Sequence, residues 1–213
     1  MEDGEAMLKN WFPDLSEKSR SCIQDYALYL REWNTKVNLV SRKDIEQLET
    51  RHLAPCLAIT RFLRLMPGAR VLDVGSGGGL PGIPLAICHP EAHFTLVDSI
   101  AKKVNVVSDI VERLNLRNVE ILRARVEELP RKLKFDFVTG RAVTALPRFL
   151  GWVRNLVRKG RRHHPANGVL YWKGGDWQAE LGRGQPQPDQ VWNLDELLPG
   201  GGFKEKYILH FKS

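Results

Sequence analysis

Residues 73–82 read Asp-Val-Gly-Ser-Gly-Gly-Gly-Leu-Pro-Gly, one carboxylate ahead of five glycines within eight positions. The apolar run Arg70–Val74 leads in, and Ile83–Ala86 leads out. This is the pattern of a strand, a glycine-rich turn and a helix, and such turns hold nucleotides. Gly77-x-Gly79-x-x-Gly82 formally fits the dinucleotide fingerprint, and Asp98 stands where its ribose-binding acid would be. Two residues disagree. A dinucleotide turn offers helix N–H groups to a pyrophosphate, whereas Asp73 brings a carboxylate near that anion. Pro81 also lacks one of the amides that would serve it. A P-loop fails outright, because no Gly-Lys-Ser/Thr follows.

A cationic nucleoside fits these residues better. S-adenosylmethionine has no phosphate; it carries an ammonium, a carboxylate, a sulfonium and a ribose diol. Asp73 suits the ammonium, directly or through water. Glycines let the backbone approach the amino-acid moiety closely. Asp98 can accept hydrogen bonds from both ribose hydroxyls, although capping a helix before Ala101 is a competing role for it. The residues therefore favour a class I methyltransferase over a dehydrogenase.

Positioning such a turn requires a parallel sheet. From Arg70 onward the short apolar runs "RVLDV", "HFTLVD", "VEILRA", "FDFVTG" and "GVLYWK" alternate with helical stretches such as Ala101–Leu114 and Leu146–Val157. This alternation predicts parallel strands with helices on both faces. "KYILHFK" has no helix after it and reads as a late antiparallel strand. Ligands of such sheets sit at the carboxyl ends of the strands. That rim should gather Asp73–Gly82, Asp98, Arg125–Glu127, Arg141 and Lys173. Residues 182–202, rich in Gly, Pro and Gln, read as a long loop.

Residues 1–66 read as a helical segment. Ile23, Tyr26, Leu30, Trp33 and Val37 recur at helical spacing, with Asp14 or Ser16 as cap. Asp44–Leu53 and Pro55–Leu65 are further candidate helices. Pro67-Gly68 closes the segment, and 67–213 form the ligand-binding domain.

The 213 residues are enough for one large domain, and 43 % are hydrophobic. No apolar run reaches the length of a membrane span. The start, "MEDGEAMLKN", does not read as a secretory signal. Cys22, Cys56 and Cys88 make no metal-ligand or disulfide pattern. These features point to the cytosol, with no membrane and no metal. A net charge of +7 favours a polyanionic partner.

"LDVGSGGGLPGIPLA" resembles the signature of the bacterial 16S ribosomal RNA guanine-N7 methyltransferases, the glucose-inhibited division protein B family. "WNTKVNLVS" is similar to that family's WNxxxNLTS, and "RHL" to its RHxxDS. "FTLVDSIAKKV", "RARVEEL", "FDFVTGRAV" and "YWKGG" resemble its later blocks, in order. The resemblance implies a Rossmann-like class I methyltransferase. Its mostly parallel seven-stranded sheet has helices on both faces and a helical N-terminal extension. The methyl donor would be S-adenosylmethionine. The acceptor would be N7 of a guanine in 16S ribosomal RNA or an assembly intermediate, met by a monomer. Carried over by position, the cofactor contacts are Asp73, Gly75, Gly77, Leu80, Asp98, Val126, Glu127 and Arg141, with Arg141 also at the point of transfer. Lys102, Lys103, Arg125 and Lys173 are the candidate RNA contacts.

The chain departs from that pattern in places. Pro55-Cys56 replaces Asp-Ser, Gly140 replaces a usual serine, and "RKGRRHHPANG" is longer than the usual turn. The basic cluster Arg158–His164 precedes a strand, so it should lie at the amino rim, solvated. Guanine N7 has a lone pair and no proton, so methylation there needs no base, and His52 is not expected to act as one. A methyltransferase for another RNA, a small molecule or a protein is the competing reading, as is a binding module without catalysis.

Overall fold

The computed structural model describes residues 2–182 and 184–213. Its strands are β1 (Arg70–Val74), β2 (His93–Asp98), β3 (Val119–Arg123), β4 (Phe137–Arg141), β5 (Gly168–Gly174), β6 (Gln190–Asn193) and β7 (Lys206–Lys212). They form one sheet in the order β3-β2-β1-β4-β5-β7-β6. The first five strands pair in parallel, and β7 runs antiparallel to β5 and β6. Strand order reverses between β1 and β4. That is the switch point at which open sheets bind ligands.

Side chains alternate across the sheet, as strand geometry requires. Val71, Phe94, Phe137, Leu170 and Ile208 face one core, while Leu72, Val97, Val138, Val169 and Leu209 face the other. The second core is closed by α7 (Leu146–Val153) and α8 (Trp177–Leu181). The first is closed by α5 (Gly82–Cys88), α6 (Ala101–Arg113) and the N-terminal helices. Tyr26, Leu30, Leu53 and Leu57 are fully buried in the same cluster as Val71 and Phe94. The residues before Pro67 therefore share a core with the sheet.

Those N-terminal elements begin with α1 (Glu2–Trp11) and α2 (Glu17–Asn34). Ser16 caps α2, its hydroxyl accepting from the Ser19 amide. The two further helices expected at 44–53 and 55–65 are replaced by a chain of short turns. These are α3 (Arg42–Ile45), a π-helical turn (Glu49–Leu53), α4 (Ala54–Leu57) and a 3-10 turn (Ala58–Arg61). Pro55 lacks an N–H, so the Arg51 carbonyl has no ordinary helical partner there.

The stretch expected as a loop, 182–202, instead contains β6 and α9 (Leu194–Leu197). Only four residues long, β6 is held by pairing with β7 and by Trp192 stacking on Phe62, centroids 5.6 Å apart. No helix of the described residues is long and apolar enough to cross a membrane. Among them no cluster of His, Cys, Asp and Glu has the makings of a metal site.

Candidate active site

The glycine turn leaves the carboxyl end of β1, beside the switch point. Most of its amides are engaged within the protein. Gly75 and Ser76 donate to the Val97 carbonyl (2.8 and 3.1 Å), Gly79 and Leu80 to that of Ser76 (2.7 and 3.0 Å). Gly77 donates to Asp98 (3.0 Å) and Gly82 to Asp73 (2.9 Å). Pro81 has no N–H, which leaves Gly78 as the one amide of the turn without an acceptor among the described residues. Gly79 has φ +96°, and a Cβ there would lie 2.5 Å from the Ile83 side chain. Only glycine fits.

Two carboxylates grip the turn from beneath. Asp73 is fully buried; one oxygen accepts from Gly82 and the other from the Thr139 hydroxyl (2.8 Å). With both oxygens engaged in this way, Asp73 braces the turn from within the fold. The side chain has no exposed surface and holds the turn in place. Asp98 is 8 % exposed, and its oxygens accept from Gly77 and from Ile100 (2.9 Å). Each oxygen keeps a second lone pair. The bond to Ile100 supports the start of α6, so Asp98 does part of the work of a cap, although the N-cap position is Ile100. Leu80 and Val126 are buried at the same rim, while Glu127, on the 3-10 turn Val126–Glu128 after β3, and Arg125, just ahead of that turn, are exposed.

Burial pushes the Asp73 carboxyl up to about 7, against the bonds from Thr139 and Gly82 that lower it, with the nearby Asp98 raising it further. Its folded value stands above the ordinary 3.8. The stabilisation from its protonated form is therefore complete below about pH 3.8 and lost as pH rises through about 7. His52 and His89 are each held down near 4, chiefly by burial, and act in the opposite sense below about pH 6.5. The difference between wild type and Asp73→Asn isolates the carboxyl. Denaturant unfolding of the ligand-free protein from pH 4 to 8 should show the variant gaining on the wild type as pH rises, by at most about 4 kcal/mol. A pH-independent difference would mean that Asp73 does not titrate in this window.

The turn is also roofed from above by a residue that sequence reasoning took only for part of an apolar face. The Tyr26 hydroxyl, fully buried, donates to the Gly78 carbonyl (2.8 Å). Leu30, one helical turn on, lies where a Cβ on Gly78 would stand (2.9 Å). Leu39 also borders Gly78, in a loop that Asn34 organises by accepting from the Leu39 and Val40 amides (2.9 and 2.8 Å). A phenol on an otherwise apolar helix face was the available signal for Tyr26. Thr139 inside β4 gave none.

Arg141, at the carboxyl end of β4, reaches across to the π-helical turn. It donates to the carbonyls of His52 (3.0 Å) and Arg51 (3.3 Å), to His52 Nδ1 (2.9 Å) and to the Cys56 sulfur (3.3 Å). The Arg51 carbonyl is the one that Pro55 leaves without a donor. All four terminal N–H groups are engaged, so Nε–H alone is left for a ligand. In this arrangement Arg141 ties the end of β4 to the 51–56 turn. Because arginine only donates, His52 Nδ1 accepts and its proton sits on Nε2, which leaves no lone pair for a base.

Both departures from the family pattern at this site have a physical account. Cys56 offers its sulfur to Arg141. Gly140 faces the Phe149 ring, which would stand 2.4 Å from any added Cβ.

Of the expected RNA contacts, Lys102 is exposed and Lys103 half-buried at the start of α6. Lys173 forms an ion pair with Glu180, which also accepts from the Leu146 amide (2.6 Å), so its charge is locally matched. The Arg158–His164 cluster does lie at the amino rim, where the His164 carbonyl meets the Arg64 amide (2.6 Å) just ahead of β1. It is not uniformly solvated. The His163 side chain is buried and accepts from the Met66 amide (3.0 Å), and Arg158 lies 3.4 Å from Asp136; Arg161 and Arg162 are exposed.

Known proteins resemble this chain along most of its length. The family described as GidB, rRNA small subunit methyltransferase G, matches residues 19–181. A ribosomal RNA small subunit methyltransferase G from Christiangramia forsetii is 46% identical over 204 residues, covering 96% of this chain and 95% of that protein. One of the same description from Flavobacterium johnsoniae is 41% identical over 200 residues, 94% of each. Among solved structures, a fibrillarin/Nop5p complex matches with a TM-score of 0.53 at 14% identity, over 70% of this chain and 74% of that one. That last likeness concerns the fold alone.

Proposed function

This chain belongs to the rRNA small subunit methyltransferase G family, and from that premise we propose how its site transfers a methyl group from S-adenosylmethionine to N7 of a guanine in 16S ribosomal RNA. The observation that carries this is the pair of buried acids under the glycine turn. Asp73 and Asp98 take up its Gly82 and Gly77 amides, and Asp98, joined by Asp73 as that carboxyl ionises through about pH 7, leaves the turn negative. A pyrophosphate would find few free N–H groups there and a repulsive field. A cationic nucleoside finds glycine backbone at close range and favourable charge. Calorimetry with S-adenosylmethionine and with NAD tests this; preferential binding of NAD would overturn it.

When bound, S-adenosylmethionine supplies an already activated methyl on a sulfonium, and guanine N7 offers an in-plane lone pair without a proton to remove. The protein's share is therefore placement and exclusion of water. Asp98 accepts hydrogen bonds from the ribose hydroxyls with its remaining lone pairs. Gly75, Gly77 and Leu80 line the amino-acid end, and Val126 and Glu127 face the adenine edge. Asp73 fixes the turn, and its ionised form supplies negative charge without touching the ligand. Arg141 holds the 51–56 turn at the rim where the acceptor base arrives. Lys102, Lys103 and Arg125 meet RNA phosphates. The enzyme works as a single copy in the cytoplasm, where small-subunit RNA is found.

A base-free transfer has a kinetic signature. At saturating RNA and cofactor and fixed ionic strength, the single-turnover rate should be nearly flat between about pH 6 and 9. His52, held near 4 and without a free lone pair, should contribute no limb, so His52→Ala should keep the shape of the profile. A steep rise with a midpoint near 6.5 that vanishes in His52→Ala would put N7 itself in doubt.

A further inference from the structure

We propose that the groove between the end of α2 and α3 is the seat for the RNA strand flanking the target guanine. This rests on the reading above that the substrate is ribosomal RNA. The groove, of about 1010 Å³, is lined by residues that include Asn34, Lys36, Asn38, Ser41, Arg42 and Glu46.

Its position joins it to the site from two sides. On one, the loop carrying Lys36 and Asn38 ends in Leu39, which borders Gly78 of the cofactor turn. On the other, α3 carries Asp44, whose carboxylate lies 3.8 Å from His52 Nε2, and His52 is held by Arg141 at the end of β4. The groove thus adjoins the carboxyl rim, where a base must come to meet the methyl group. The amino-rim cluster around Arg161 lies at the opposite end of the strands.

Its chemistry suits a single strand. The acids nearby are largely taken. Glu32 pairs with Arg113 (2.9 Å) and Glu49 with Arg31, while Asp44, accepting from the Ser41 hydroxyl (2.8 Å), keeps its charge. Among the described residues, Lys36, Arg42 and Lys43 have no acidic partner within salt-bridge distance, against the carboxylates of Asp44 and Glu46. Lys36 is steadied over the Trp33 ring (5.0 Å), and Trp33 is anchored by donating to Asp109 (2.6 Å). Exposed Asn38 adds an amide able both to donate and to accept, which suits the edge of an unstacked base. Cations that meet phosphates set register, and amides that meet base edges set sequence. The loop is preformed by Asn34, so little ordering is needed on binding.

The test compares Lys36→Ala/Arg42→Ala with Arg161→Ala/Arg162→Ala. Filter binding is measured against salt, with naked small-subunit RNA and with small subunits that lack the methyl group. The first pair should weaken binding to both by about 3- to 30-fold and flatten the salt slope by about 1.4, as two lost phosphate contacts on a single strand would. Its affinity for S-adenosylmethionine and its melting temperature should stay at wild-type values. The second pair should bind as wild type. Wild-type affinity and slope in the first variant would overturn the seat. So would weakening on assembled subunits alone, which would make the groove a protein contact. Failure of the wild type to methylate either RNA would instead overturn the functional reading on which the seat depends.

Discussion

Arg141→Ala should lower the single-turnover rate of methyl transfer by about 10²–10³. The side chain makes four contacts to the 51–56 turn, two of them charge-assisted bonds to backbone carbonyls. Such bonds are each worth about 1.5–3 kcal/mol, and losing two in one place is worth several powers of ten at most, because they act as a unit. Arg141→Lys should not restore the rate. An ammonium keeps the charge but cannot span two carbonyls, a ring nitrogen and a sulfur as the planar fork does. A second readout separates this clamp from a general loss of folding. The Arg141 charge helps, after burial, to hold His52 near 4. In Arg141→Ala the imidazole, followed by NMR, should titrate closer to its ordinary 6.5. A variant that keeps transfer within a few-fold of wild type, with His52 still near 4, would remove Arg141 from the machinery.

Asp98→Ala should weaken S-adenosylmethionine binding by about 10- to 150-fold, the range for losing one hydrogen bond to a charged group. Asp98 has two tasks. It accepts from Gly77 and Ile100 in the protein alone, and its remaining lone pairs serve the ribose. Asp98→Asn keeps one oxygen for the Gly77 amide but sets an NH2 group against the Ile100 N–H. It should fall between alanine and wild type in affinity. Calorimetry gives the affinities, and a thermal melt of the ligand-free variants gives the share that belongs to the turn. Unchanged affinity with a lowered melt would leave Asp98 as a bracket of the fold only.

Much of this site was legible because buried parallel strands read as unbroken apolar runs. Arg70–Val74 and His93–Asp98 are read residue for residue, and with them the acids that end or nearly end each strand. The rest depended on partners far away in the chain. The contacts of Arg141 lie 85 to 90 residues earlier, and nothing in β4 names them. Lys173 looked like a free rim cation because its partner Glu180 sits on the next helix, α8, which turns back onto the strand. Asp73 showed its charge but not its burial. Its grip on Gly82 and Thr139 follows only when the turn and β4 are set side by side. The strand β6 was hidden by its length and by the Gly and Pro residues before it; its order comes from β7 and Phe62.

The most direct measurement follows the methyl group itself. Small-subunit RNA from a strain lacking this enzyme is incubated with the purified protein and S-adenosylmethionine labelled in the methyl group. The RNA is then digested to nucleosides and analysed by mass spectrometry. The label is expected in 7-methylguanosine alone, at one site, with wild-type protein and not with Arg141→Ala. Label on an exocyclic amine, a ribose hydroxyl or a ring nitrogen that must lose a proton, or no transfer to RNA at all, would contradict base-free methylation of guanine N7.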